Sequence, residues 1–210
     1  MKNIITILTL LLGIFGYQAK AQYVFIPDQT GKPLTDAKYE NVTGSPYLVE
    51  EWTNAEVKLA DNNMIKPAEV RYDMVSDKLL FRQENKVYEF FPKVAAFTLF
   101  TKSGKRTFLL KNGINNDNGY YELLNNGKIT LLKKVKKVVL EAKGYNSANV
   151  EKLIDESKKY YILNDGKEKE VKLNKNSLVS VLPNYKAQID LYKGKLSNEK
   201  DFLELITSLN

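Results

Sequence analysis

Among its 210 residues the chain has no histidine and no cysteine, and this double absence removes most of the reagents proteins use near neutral pH. Histidine is the side chain that titrates there unperturbed and the commonest metal ligand; cysteine supplies the thiolate of nucleophilic and redox sites. A zinc enzyme and a Ser-His-Asp hydrolase are therefore excluded. Carboxylate chemistry, lysine chemistry and an oxygen-ligand metal remain. Two carboxylates act as acid and base when they face each other across a pocket. Glu50, Glu51, Glu69, Asp73, Asp77 and Glu122 are the candidates in the strand-forming region, and nothing in their spacing selects a pair. The loop Asn115-Asn116-Asp117-Asn118-Gly119 resembles a calcium loop at first glance. Aligning Gly119 with the glycine of that motif puts Ile114 at the first ligand position and Asn125 where a bidentate acid belongs, so the match fails and a hairpin turn is expected. The residues assign no catalytic centre, no metal and no cofactor.

Two features offer an interaction surface instead. Lys133, Lys134, Lys136 and Lys137 are the densest positive charge, suited to an acidic partner or anionic headgroups, and equally to a solvated edge strand whose lysines discourage aggregation. The pairs Tyr120-Tyr121 and Tyr160-Tyr161 project to opposite faces of their strands, so one member of each is expected in the core and the other exposed. Tyr121 and Tyr161 are the members assigned to the surface, where a tyrosine can stack on a sugar or meet a protein. Trp52 reads as packing.

The elements that must position these residues are mostly strands. Val70, Tyr72 and Met74 alternate with Arg71, Asp73 and Val75, a period of two with one buried face. Short apolar runs follow over Lys78–Arg82, Val87–Phe91, Val94–Phe100 and Arg106–Leu110, divided by polar turns. Asn112-Gly113, Asn118-Gly119 and Asn126-Gly127 each supply residues that tolerate positive φ, as tight hairpins demand. Tyr120–Leu124 and Lys128–Leu132 read as one hairpin, and Tyr160–Leu163 with Val171–Leu173 as a second around Asp165-Gly166. Between them, β-branching favours a strand over Lys133–Leu140, while Val150, Leu153 and Ile154 fit a short helix over Asn149–Ser157. Near the C-terminus, Leu178, Val181, Leu182, Tyr185, Ile189 and Tyr192 recur at helical steps interrupted by Pro183, so one helix should end near Leu182 and another begin there. Ser197 or Asn198 can cap a third, with the stripe Phe202, Leu205, Ile206 and Leu209. The fold class expected is α+β: an antiparallel β-rich meander, rolled or sandwiched, then two or three short helices.

At the other end, Lys2 and Asn3 precede the apolar run Ile4 to Phe15, and Ala19-Lys20-Ala21 follows. A basic start, about a dozen apolar residues and an A-x-A site are the parts of a secretory signal peptide. Cleavage after Ala21 would make Gln22 the new N-terminus; no cysteine stands there to carry a lipid, so a lipoprotein anchor is not expected. The organisation anticipated is a leader over 1–21, a partly ordered lead-in over 22–43, a β domain over 44–173 and a helical segment over 174–210. Removing the leader takes away Lys2 and Lys20 and no acid, which lowers the formal charge from +7 to +5. With lysines scattered among acids, that charge argues against nucleic acid as a partner.

Gly44-Ser45-Pro46-Tyr47-Leu48 with Trp52, Val70-Arg71-Tyr72-Asp73, Asp77-Lys78-Leu79-Leu80 and Tyr88-Glu89-Phe90 resemble a family of exported proteins from Bacteroidetes-type Gram-negative bacteria. Tyr120-Tyr121-Glu122-Leu123-Leu124, Gly127-Lys128, Lys133-Lys134, Tyr160-Tyr161 and the tail around Phe202 fit the same family. The resemblance implies export and a β-rich body with a helical tail, and carries no site residues. The expected function is therefore a non-enzymatic periplasmic or secreted protein that binds an envelope protein or glycan, with no membrane span after cleavage. The alternatives are a carrier of a lipid or other apolar ligand in a curved sheet, and a carboxylate-dependent hydrolase of envelope polymers.

Overall fold

The computed structural model describes residues 39–83, 86–113, 116–143 and 150–210. The expected leader over 1–21, its cleavage site at Ala19, Ala21 and Gln22, and the expected lead-in up to residue 38 lie outside the described residues. Eleven strands make one sheet: β1 Val42–Thr43, β2 Thr53–Lys58, β3 Met64–Asp73, β4 Lys78–Gln83, β5 Lys86–Glu89, β6 Ala96–Thr101, β7 Gly104–Lys111, β8 Gly119–Leu123, β9 Ile129–Lys143, β10 Val150–Asn164 and β11 Lys167–Val171. Three short helices follow: α1 Lys175–Val181, α2 Lys186–Leu191 after the 3-10 turn Pro183–Tyr185, and α3 Glu199–Ser208. None of the described helices is long and apolar enough to cross a membrane.

The sheet is open and mixed. Its order is β1-β10-β9-β8-β7-β6-β2-β3-β4-β5, with β11 beside β10. A strictly sequential meander would place β6 next to β5, whereas β6 pairs with β2. The sheet is not wholly antiparallel either, because β1 runs parallel to β10, Val42 opposite Lys152. Of the helix expected over Asn149–Ser157, Asn149 lies outside the described residues and the rest is corrected: Val150 onward is strand, paired with β9 from Val150↔Lys143 to Asn164↔Ile129. The helical spacing of Val150, Leu153 and Ile154 is overruled by that long ladder, which satisfies backbone groups a short isolated helix would leave open.

Local chemistry set several turns and caps. Asp165 and Gly166 both take positive φ, 48° and 73°, in the turn that joins β10 to β11. Gly119 is also positive, at 132°, but Asn112, Gly113, Asn126 and Gly127 are not among the positive-φ residues, so two of the expected tight turns have another geometry. At Asn126-Gly127 the loop is held by side chains instead: Asn125 accepts from Leu131 N at 2.6 Å and donates to Ile129 O at 2.9 Å. Asn198 caps α3, its Oδ1 accepting from Asp201 N at 2.8 Å, and Asn174 caps α1 in the same way.

Two cores share one face of the sheet. Over β2, β3, β4, β6, β7 and β8 the core is aromatic: Tyr72 lies 5.3 Å from Phe97, 5.4 Å from Phe108 and 5.6 Å from Tyr120, centroid to centroid. Four strand steps separate β3 from β8, which on a flat sheet would be about 19 Å at about 4.8 Å per step; the contact requires the sheet to bend. Over β9, β10 and β11, Ile129, Leu131, Ile162 and Val171 pack against Leu178, Leu182, Ile189, Phe202, Leu205 and Ile206 of the helices. The segment before β2 laces the two parts together, with Lys137 Nζ donating to Ser45 O and Tyr47 O at 2.9 and 2.7 Å. Arg71 is buried between the rings of Tyr47 and Trp52, 3.9 and 4.7 Å away, where the flat guanidinium can stack.

A row of charge crosses the sheet beneath α3. Glu122 lies opposite Lys133, which lies opposite Tyr160. Arg106 holds Glu122 through two bonds of 2.6 and 2.8 Å, Lys133 reaches Glu122 at 2.9 Å and Glu199 at 3.0 Å, and Tyr160 donates to Glu199 at 2.8 Å. Burial pushes the Glu122 carboxyl up, but the bonds and charges of Arg106 and Lys133 outweigh it, leaving the net value below the ordinary 4.5. A lowered carboxylate adds stability above the unfolded value and loses it as pH falls through the folded one. Glu122→Gln should therefore cost about 3–5 kcal/mol at pH 7, the loss expected when one member of a buried pair is removed. The difference between variant and wild type, read by urea unfolding, should shrink as pH is lowered below 4.5.

Candidate functional site

Strand alternation divides the lysine cluster. Lys133 and Lys137 point to the helix-bearing face, where both are tied into the fold. Lys134 and Lys136 point to the opposite face, with Leu132. On β10 the residues across from Leu132, Lys134 and Lys136 are Tyr161, Lys159 and Ser157, so these six side chains share one face. Glu170 of β11 pairs with Tyr161 and extends the row. Lys111 of β7 meets Glu168 of β11 at 2.8 Å on this face, four strand steps away, so the sheet curls here toward the side away from the helices. In the concavity lies a pocket of about 310 Å³, lined by Asn116, Asp117, Lys134, Lys136, Ser157, Lys159, Tyr161 and Glu170.

Its floor is a small aromatic cluster. Tyr121 and Tyr161 meet edge to face at 5.3 Å over Leu132. Tyr121 donates to Asp117 O at 2.6 Å and Tyr161 to Asp117 Oδ2 at 3.2 Å, which pins the loop before β8 to the sheet. Gly113 belongs to that loop because a Cβ there would collide with the Tyr121 hydroxyl. The expectation of one exposed member in each tyrosine pair is thereby corrected: Tyr121 is 0% exposed and Tyr161 2%, while Tyr120 is buried on the other face. Both faces of β8 are covered, one by the aromatic core and one by this loop. Neither Tyr121 nor Tyr161 has a ring face open for stacking on a sugar. Burial first, then the charge of Asp117, pushes the Tyr121 phenol up to about 12, so it acts as a hydrogen-bond donor and not as a phenolate.

Lys134 is the unusual group. The residue is 6% exposed, and among the described residues its Nζ makes one hydrogen bond, to Asn118 O at 3.2 Å, and no ion pair. The ring of Tyr121 lies 4.9 Å from the ammonium. Burial lowers its pKa from the ordinary 10.5; Asp77 and Asp117 pull it back up, and Lys93 and Lys136 reinforce the lowering. The net lowering therefore comes from burial of the ammonium. Room for this ammonium depends on Gly119, where a Cβ would run into both Asp77 Oδ2 and Lys134 Nζ.

None of the six carboxylates singled out by position lines the pocket. Glu51 pairs with Lys102 and Glu69 with Arg82 on the surface, and Glu50 is exposed. Asp73 accepts from Tyr39, from Ser76 Oγ and from the backbone N–H groups of Val75 and Ser76. Asp77 accepts from Tyr72 and Lys93, and Glu122 belongs to the charge row. The acids that do reach the pocket are Asp117 and Glu170. Asn116, Asp117, Ser157, Lys159 and Glu170 are site residues that the sequence reading does not single out, and a signal for two of them is present: Ser157 and Lys159 stand at period two with Tyr161 and face Lys136 and Lys134 once residues 150–164 are read as strand.

Chemically the pocket presents three ammonium groups, a hydroxyl and an amide, with two carboxylates at its wall. The cations outnumber the acids by one. Lys134 and Lys159 are direct cross-strand neighbours of like charge, an arrangement that destabilises a sheet. Lys159→Gln removes that repulsion together with a 3.9 Å contact to Glu170, so it should raise the unfolding free energy by less than about 1 kcal/mol at low salt, and the gain should fade as added salt screens the exposed charges. Gly119→Ala should lower stability by about 1–3 kcal/mol, since it forces a side chain into positive φ as well as onto Asp77 and Lys134; chemical denaturation of the two variants reads both effects.

The chain matches no protein-family model, no curated protein and no solved structure, so the chemistry of the pocket rests on its own geometry.

Proposed function

We propose that this is an exported, non-enzymatic binding protein of a Gram-negative envelope, a member of the Bacteroidetes-type family it resembles, and that its pocket on β9, β10 and β11 takes an anionic group of an envelope glycan. The observation that carries this reading is the buried, under-bonded ammonium of Lys134 set among Lys136 and Lys159 in a concave pocket. A concavity of about 310 Å³ has the size of a small-ligand site; a protein partner would call for a patch of about 800 Å² on each side. The leader, with cleavage between Ala21 and Gln22, supplies the address.

The sheet is read as rolled, with the aromatic core inside the roll, rather than as a two-layer sandwich. The same core weighs against a lipid carrier, because Tyr72, Phe97, Phe108 and Tyr120 fill the space where an apolar ligand would sit. The hydrolase reading is weaker as well: Asp117 is held by Tyr161 and Glu170 lies 3.9 Å from Lys159, so each acid is engaged by its neighbours.

Two measurements test the proposal. N-terminal sequencing of the protein recovered from the envelope fraction of a Gram-negative host should begin at Gln22, and a chain that retains Met1 in the cytosol would overturn export. On an array of bacterial glycans the mature protein should retain acidic glycans over neutral ones, with retention falling as salt is raised. Equal retention of both, or of neither, would overturn the binding assignment.

A further inference from the structure

Resting on the reading of the pocket as a glycan site, we infer that the group it recognises is a phosphate monoester on a sugar, held by Lys134, Lys136 and Lys159. Three observations converge on a multiply charged tetrahedral anion. First, a lysine ammonium has three N–H donors, and Lys134, more than nine-tenths buried, uses one of them on Asn118 O. The others are left for a ligand in the pocket it lines. Second, Lys159 stands directly opposite Lys134, and Lys136 is the next residue on that face of β9. Three like charges on adjacent strands are only partly offset, by Glu170 at 3.9 Å from Lys159 and by Asp77 and Asp117 near Lys134, and an anion shared among them offsets the remainder. Third, the cationic lining contains no arginine. The bidentate fork of a guanidinium matches carboxylate and phosphate alike, whereas ammonium groups act as separate point charges, and three of them can each meet a different oxygen of a phosphoryl group.

The remaining wall fits the scaffold that carries the phosphate. Asn116 and Ser157 add neutral donors, and Asp117 and Glu170 add acceptors for sugar hydroxyls. The two acids also restrict entry: an anion of single charge gains less from three ammonium groups whose field they partly cancel. A doubly charged phosphate monoester gains more than a uronate. The buried tyrosines contribute no stacking surface, so recognition falls on charge and hydroxyl bonding.

Titration calorimetry with the mature protein tests this, using glucose 1-phosphate, glucuronate, glucose and inorganic phosphate as probes. Glucose 1-phosphate should bind tighter than glucuronate by about tenfold or more and tighter than inorganic phosphate, and glucose should not bind measurably. Lys159→Met and Lys134→Met should each weaken glucose 1-phosphate by about tenfold or more, the equivalent of one charge-assisted hydrogen bond. Lys158→Met serves as the control, because Lys158 lies on the opposite face and pairs with Glu156 at 3.0 Å; it should leave binding unchanged. Lys159 is exposed, so its variant tests the proposal even if Lys134→Met misfolds. Glucuronate binding as tightly as the phosphate, or equal losses at Lys158 and Lys159, would overturn the inference while leaving a glycan site in place. Failure of every saccharide to bind would overturn the glycan reading too. Flotation with phosphatidic acid vesicles, without binding of glucose 1-phosphate, would place the phosphate on a lipid headgroup and overturn the sugar assignment.

Discussion

The register between β9 and β10 is the constraint on which the rest of the molecule depends. Both strands run for fifteen residues and pair along their whole length, so every side chain in this ribbon has its face decided at once. A slip of one residue would exchange the faces. Ile129 and Leu131 would leave the helices, Lys133 would leave Glu122 and Glu199, and Lys134 would be carried to the helix side. The charge row under α3 and the apolar contacts beside it favour the same register, which is why a lysine-rich strand holds one position.

That register also explains how an open sheet covers both of its faces. Over β2 to β8 the sheet bends around an aromatic core, and over β7 to β11 it bends the other way around Tyr121, Leu132 and Tyr161. The helices fill the face that the second bend leaves outside. Glu122 and Tyr121 are neighbours in sequence, yet one faces the helices and the other the pocket floor. Strand β8 is the point at which the two curvatures meet, and Gly119 at its start keeps room for Asp77 and Lys134 to approach.

The pocket carries a cost that the rest of the fold does not. A desolvated ammonium with one hydrogen bond, and a cross-strand pair of lysines, both lower stability, and the surrounding packing tolerates them. Features of that sort are expected where binding has been favoured over stability. The charge row differs in kind: there each cation meets a carboxylate, and the arrangement fastens α3 to the sheet.

Much of the framework was legible from local chemistry. The hairpin turn at Asp165-Gly166, the break at Pro183, the Asn198 cap and the stripe of Phe202, Leu205 and Ile206 follow from preferences that act within a few residues. The absence of histidine and cysteine likewise closes whole classes of mechanism without reference to any fold. What lay beyond reach was every assignment that depends on a partner far along the chain. Lys133 and Lys134 are adjacent and chemically identical, and only pairing with residues 159 and 160 makes one a structural cation and the other a pocket donor. Tyr121 and Tyr161 have the composition of surface tyrosines, and only the loop brought down by Asp117 buries them. Residues 150–157 carry a helical spacing that is outweighed by the ladder they form with β9. Local propensity is worth fractions of a kcal/mol per residue, while register and burial act over whole strands; the tertiary structure therefore decided which groups meet, and the sequence by itself determined which chemistry they could bring.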